Sequence, residues 1–163
     1  MTRTLYSLLL VLACVQSPAG RADEVAVARA LDAFHDAAAR ADQPAYFRLM
    51  TENVVFLGTD ASERWQGQEF RDFVNQYFPK GRGWTYVPTQ RDIDMGPDGQ
   101  WALFDELLAH DRLGTCRGSG VLVLEDGRWK IAQYNLSVPV PNAIVEDVAE
   151  QIRALPAAAS EAR

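Results

Sequence analysis

Two acidic residues stand side by side in the apolar run WALFDELLAH, Asp105 and Glu106, and they are the first candidates for chemistry. A carboxyl group held among hydrocarbon has its proton affinity raised, which suits it to general acid or base work near neutral pH. If the run is a strand, alternation separates the pair: Ala102, Phe104, Glu106 and Leu108 share one face, and Trp101, Leu103, Asp105 and Leu107 the other. Phe104 and Leu108 make Glu106 the inward member and the candidate base, with Phe104 as a ligand contact beside it and Asp105 as the alternative. The later run RWKIAQYNLS alternates as well and puts Trp129, Ile131, Gln133, Asn135 and Ser137 on one face. That face passes from apolar to amide-rich, which suits a pocket wall. Gln133 and Asn135 are therefore candidate ligand-binding groups that orient a molecule without titrating.

The stretch GTCRGSG, residues 114–120, offers a thiol, a guanidinium and three glycines. A phosphate cradle needs such glycines to open onto a helix, but these run into VLVLEDG, a strand and a turn. Alternation sets Cys116 and Arg117 on opposite faces, so the arginine does not activate the thiol, and Cys116 reads as a small buried filler. Thr115 and Arg117, which share a face, stand as candidate ligand contacts, and Arg117 faces either the pocket or a partner subunit. The two histidines, His35 and His110, sit at unrelated positions, one on a helix at the edge of its apolar face and one in a turn. No Cys or His cluster has metal-ligand spacing, so neither a metal nor a cofactor is expected. A Ser-His-Asp mechanism lacks the G-x-S-x-G elbow. Tyr46, Tyr77 and Tyr86 are hydroxyl donors for an oxyanion or satisfied core tyrosines. Trp65 is a core residue or a pocket wall.

The elements that must position these groups follow from periodicity. Asp23 and Glu24 favour a helix start, and the alanine-rich segment to Arg40 carries Val27, Leu31, Phe34 and Ala38 along one face. Asp42 caps a short second helix with Pro44 in its first turn. NVVFL, residues 53–57, reads as a strand. Asp60 and Glu63 have capping-box spacing ahead of a third helix whose Phe70, Phe73, Val74 and Tyr77 recur at i, i+3, i+4 and i+7. From Trp84 the period becomes two, with strands over 84–94, 100–109, 113–124 and 128–138 separated by turn sequences such as Asp126-Gly127. Asn142 can cap a short last helix with Ile144, Val148 and Ile152 on one side. Helices first and a meander afterward predict an α+β fold: N-terminal helices packed in a strongly curved, mainly antiparallel β-sheet, a cone or half-barrel, with a short C-terminal helix.

Bulk properties narrow the field. Residues 1–22 hold Arg3, the apolar run LYSLLLVLAC and then small residues. This is the pattern of a secretory signal peptide, with cleavage after Ala19 or Ala22, and the run is too short to span a bilayer. Cys14 lies in a segment similar to a lipoprotein box, which makes an anchored lipoprotein the alternative to a free, periplasmic protein. The rest, about 140 residues, suits one domain over 23–155, followed by a low-complexity tail, 156–163, expected to fray. A net charge of −6 over the whole chain, and a leader that removes only positive charge, argue against nucleic acid as a partner. Cys116 is the one cysteine outside the leader, so no disulfide staples the domain.

The element order resembles the nuclear transport factor 2-like superfamily. FLGTDASERWQGQEF and GTCRGSGVLVLEDGRWKIAQYNLSVPVPN resemble its bacterial SnoaL-like branch, over roughly residues 24–154. The resemblance implies a curved sheet closing over helices around an apolar pocket, and homodimerisation through the outer face of the sheet, here bearing Trp101, Leu103 and Leu107. It also aligns Asp60 with the aspartate of the family's G-T-D run, a rim carboxylate and second candidate acid or base. Related sequences often carry histidine where this chain has Gln133 and Asn135, a departure that weakens proton transfer. The leading expectation is an exported protein holding an apolar or aromatic small molecule. The alternatives are an isomerase, cyclase or dehydratase using a pocket carboxylate, and a purely structural or oligomerisation domain.

Overall fold

Period-two patterning becomes a single six-stranded sheet. The structure, a computed structural model, describes residues 18–155. The strands are β1 (Met50–Leu57), β2 (Arg64–Gln66), β3 (Val87–Met95), β4 (Trp101–His110), β5 (Gly114–Glu125) and β6 (Arg128–Ser137). Their order across the sheet is β2-β1-β6-β5-β4-β3, and every neighbouring pair is antiparallel except β1 with β6. Each strand of the meander lies within three residues of its expected bounds.

The helices are α1 (Pro18–Ala39), α2 (Gln43–Arg48), α3 (Gln68–Asn75) and α4 (Val145–Ala154), with one-turn 3-10 segments at Phe78–Lys80 and Asn142–Ile144. Helix α1 lays Val27, Leu31, Phe34 and Ala38 into the core, as the 3.6-residue repeat requires. It begins at Pro18, before the expected Asp23. The expected leader up to residue 17, Cys14 included, and the expected tail at 156–163 lie outside the described residues. Among the described residues, no helix is long and apolar enough to cross a membrane. Asp42 caps α2, its Oδ1 accepting from the Ala45 amide at 3.1 Å.

Three local expectations need correction. The segment after Asp60 does not enter a helix: it turns and forms β2, pairing Leu57 with Arg64 and Val55 with Gln66. That pairing uses backbone groups a helix would need, so α3 starts only after Gly67, whose φ of 51° strains any side chain. Asp60 instead closes the turn, its Oδ1 accepting from the Ser62 amide at 2.8 Å and hydroxyl at 2.6 Å. At the C-terminal end, Asn142 opens the 3-10 turn rather than capping α4, which has no side-chain cap and buries no residue.

The third correction concerns β6. Val121 pairs with Gln133 but Leu122 pairs with Ile131, so one extra residue is accommodated on β6 at a bulge. Alternation resets there. Trp129 and Ile131 face inward before the bulge, Tyr134 and Leu136 after it, and all four are buried. Irregular register also interrupts β1 against β6 and β3 against β4, in keeping with a sheet that curves around α1.

Candidate functional site

The inner face of the sheet carries one buried acid. Glu106 on β4 is 1% exposed, while Asp105 points to the outer face and is exposed. Register explains how the acid is met. Arg91 on β3 is directly opposite Glu106, and Gly118 on β5 is opposite it on the other side. From above, α1 contributes Asp32 and His35, three residues apart and so on neighbouring positions of one helical surface.

Glu106 is saturated with donors. His35 Nε2 stands 2.6 Å from Oε1, the Tyr134 hydroxyl donates to the same oxygen at 3.0 Å, and Arg91 Nε donates to Oε2 at 2.9 Å. Arg91 Nη2 also lies 2.8 Å from Oε2, an ion-pair contact without hydrogen-bond alignment. The other arm of the guanidinium donates to the Asp32 carboxylate at 2.7 Å and to the Ala28 carbonyl at 3.1 Å. Burial opposes ionisation of Glu106, but the hydrogen bond and charge of His35, with those of Arg91, outweigh it and hold the carboxyl below its ordinary value. The expectation of a raised proton affinity is thus overturned: hydrocarbon neighbours desolvate the group, and the donors across the sheet and on α1 more than reverse the effect. Tyr134 is driven the other way, by burial and then by the Glu106 charge, and stays a neutral donor.

Gly118 makes this arrangement possible. A Cβ there would collide with the Tyr134 hydroxyl and sit 2.9 Å from Glu106 Oε1. The glycine of GTCRGSG is therefore the space into which the acid and the phenol meet. Cys116, two residues earlier on the same face, is buried, and burial pushes its thiol up.

Beyond His35 and Tyr134 opens a cavity of about 200 Å³. Seven aromatic side chains line it: Phe34, Phe56, Trp65, Phe73, Trp84, Tyr86 and Tyr134. His35, Ala38, Gly58, Thr59, Glu63 and Leu136 complete the wall. Trp65 stacks on Phe73 at a centroid distance of 4.3 Å, and Phe56 stacks on Tyr134 at 5.4 Å, so the walls support one another. Burial raises the Tyr86 hydroxyl, with Cys116 and Glu63 adding to the effect against Arg112.

Of the sequence-selected residues, Trp65 lines this cavity. Glu106 is not part of its wall but lies directly behind His35 and Tyr134. Phe104 is core, beneath Gly120 and 5.7 Å from the Tyr134 ring. Gln133 and Asn135 are displaced from the pocket by the β6 bulge. Gln133 joins Asp94, Leu103, Asp105 and Ser119 around a shallow depression on the outer face, and Asn135 alternates with the buried Tyr134 and Leu136. Thr115 and Arg117 flank buried Cys116 and are exposed on that outer face, so neither reaches the cavity. Asp60 is exposed in the β1–β2 turn, its carboxyl lowered by the Ser62 bonds. Among the tyrosines named as donors, Tyr86 lines the cavity, whereas Tyr46 is buried in the aromatic core. His110 serves the β4–β5 turn, its Nδ1 accepting from the amides of Arg112 and Leu113. Arg91, Asp32 and Tyr134 went unselected. Arg91 could have been found as the basic residue of the strand adjoining β4, but its alignment with Glu106 needs the register.

His35 thus acquires a definite chemistry. An ionised carboxylate only accepts, so Nε2 carries a proton in the contact with Glu106, which leaves Nδ1 as the nitrogen that can exchange one. A histidine oriented by a buried acid beside an apolar cavity can bind a ligand hydrogen-bond donor or move a proton. Among the described residues, no group of three or more His, Cys, Asp or Glu is placed to hold a metal ion.

Solved structures with the same architecture define the class first. The chain is similar to an NTF2-like protein of unknown function from Pseudomonas putida KT2440, with a TM-score of 0.62 and 14% identity over 75% of this chain and 90% of that one. It is also similar to a candidate dehydratase of the NTF2-like family from Streptomyces avermitilis, with a TM-score of 0.65 and 15% identity over 74% and 99%. A candidate scytalone dehydratase from Novosphingobium aromaticivorans DSM 12444 gives a TM-score of 0.62 and 13% identity over 74% and 87%. These likenesses establish an NTF2-like fold. The profile described as a SnoaL-like domain matches residues 27–141, and the chain belongs to the SnoaL-like family. No curated protein matches the sequence.

Proposed function

We propose that this is a small-molecule-binding protein, exported on the strength of its leader-like first 22 residues, that holds a compact aromatic or apolar ligand inside the cone. The observation that carries the reading is the cavity itself, walled by seven aromatic rings with His35 at its inner end. At roughly 30 Å³ per water its volume corresponds to about seven waters, enough for a single substituted ring. Rigid, mutually stacked walls favour affinity because little side-chain freedom is lost on binding.

Trp65 and Trp84 report on occupancy directly. Titration of the protein with single-ring neutral aromatics such as toluene and benzyl alcohol is expected to change tryptophan fluorescence saturably. Ala38, a buried α1 residue in the wall, gains three carbons in Ala38→Leu. That variant should keep its thermal stability and lose affinity by about tenfold or more, since the added atoms occupy ligand space. If no fragment saturates, or if Ala38→Leu binds as well as wild type, the cavity is not a ligand site.

A second reading is favoured by one specific contact, the 2.6 Å pairing of His35 with Glu106. It makes His35 a general base for a proton beside a carbonyl, with Glu106 holding the ring and stabilising its protonated form. The dehydratase designations of two NTF2-like neighbours agree with proton-transfer chemistry of this kind. In D2O, deuterium should enter the methyl group of acetophenone faster with wild type than with His35→Ala. A rate equal to background in both would remove this reading and leave the binding reading standing.

A further inference from the structure

We propose that the cavity selects an organic cation, an ammonium group carried on an aromatic or compact alkyl body; this deepens, and rests on, the reading of the cavity as a ligand site. The faces of aromatic rings are negative, and seven rings line one volume of about 200 Å³. Among the described residues, no lysine or arginine is part of the wall. Among the described residues that line it, the one carboxylate is Glu63, half-buried near Tyr86.

Glu63 is held there rather than free to swing away. Its Oε2 accepts from the Asp60 amide at 3.2 Å, its own amide bonds the Asp60 carbonyl at 2.9 Å, and its carbonyl accepts from the Gly58 amide at 2.8 Å. Gly58 leaves the necessary room, because a Cβ at that position would lie 2.9 Å from the Glu63 Cβ and collide with the carboxylate.

A further carboxylate stands behind the inner wall. Glu106 shares the single guanidinium of Arg91 with Asp32. Tyr86 and Tyr134, raised by burial, contribute no charge near neutral pH. Arg112 stands near Tyr86 but outside the wall, exposed in the β4–β5 turn. A cation entering the cavity therefore meets aromatic rings and one carboxylate on the wall, with the Glu106 carboxylate behind it. An anion meets the same groups as repulsion.

The test uses probes of similar shape and different charge. Phenyltrimethylammonium, tert-butylbenzene and benzenesulfonate are titrated against the full protein by tryptophan fluorescence and calorimetry. The cation is expected to bind about tenfold more tightly than tert-butylbenzene, with no saturable binding of the sulfonate. Glu63→Gln, which keeps an oxygen for the Asp60 amide, should shrink the ratio of cation to neutral affinity at least threefold, and Ala38→Leu should weaken both ligands. Equal affinities for the cation and its neutral isostere, or a ratio indifferent to Glu63→Gln, overturn the cation preference while the cavity remains a binding site. Absence of binding by every probe overturns the cavity reading and this inference with it.

Discussion

Gly118→Ala is the most informative single change, because it adds one methyl where the acid and the phenol meet. The new Cβ would overlap the Tyr134 hydroxyl and lie 2.9 Å from both Tyr134 Cζ and Glu106 Oε1. Since the backbone there needs no left-handed φ, the damage is one of contact rather than conformation. Overpacking a tight interior costs about 1–3 kcal/mol, and forfeiting a buried hydrogen bond to a charged acceptor costs about 1.5–3 kcal/mol. The two penalties share one displacement of Tyr134, so a total of about 2–4 kcal/mol is expected. For a domain of this size that lowers Tm by on the order of 10 °C. The decisive assay is a double-mutant cycle with Tyr134→Phe, each stability measured by urea denaturation. Removing the hydroxyl takes away the worst overlap, so Gly118→Ala should cost at least about 1 kcal/mol less in the Tyr134→Phe background than in wild type. If the two changes add to within about 0.5 kcal/mol, Gly118 is not the space that admits the Tyr134–Glu106 bond.

Two further outcomes follow from the same cluster. Glu106 ionises below its ordinary value of 4.5 in the fold, so the unfolded chain binds its proton more readily. Its contribution to stability is complete above about pH 4.5 and lost as pH falls through the folded value, so the gap in urea midpoint between wild type and Glu106→Gln should narrow from about pH 6 to pH 3. A gap constant across that range contradicts the assignment. Arg91→Met leaves Glu106 without its ion pair across the sheet and should cost about 3–5 kcal/mol, part of which Glu106→Gln restores in the double variant because no unpaired charge is then buried. If the second substitution makes matters worse, Arg91 acts through packing alone.

The cluster also shows what a sequence carries and what it withholds. The inward orientation of Glu106 was legible because one strand's alternation suffices to decide it. The capping of α2 by Asp42 and the buried stripe of α1 were legible for the same reason, each resting on residues within a turn or two of one another. Arg91 was not. PTQRDIDM reads as a strand, but only its register against β4 brings Arg91 opposite Glu106, and register is a property of two segments at once. His35 was placed only at the edge of the apolar face, with no sign of the partner 71 positions away. Asp60 failed differently: its capping-box spacing was real, yet the same bonds close a tight turn when the next residues find a strand to pair with.

The failure at β6 goes furthest, because it exchanged the chemistry of the pocket wall. Unbroken alternation puts the amides of Gln133 and Asn135 inside and turns Tyr134 and Leu136 outward. One extra residue after Ile131 reverses that half of the strand while leaving Trp129 and Ile131 where they were. The energetic preference is large even though the sequence signal is small. The bulge gives up a regular rung of the ladder but gains burial of a tyrosine and a leucine, each worth about 1.5–3 kcal/mol for its apolar surface. It also spares two amides the cost of desolvation on the inner face. The apolar residues held the clue: no strict alternation buries Trp129, Ile131, Tyr134 and Leu136 together, whereas one bulge buries all four. What that bulge delivers to the cavity is a phenol fixed on Glu106 in place of two amides, and with it one more aromatic ring on the wall.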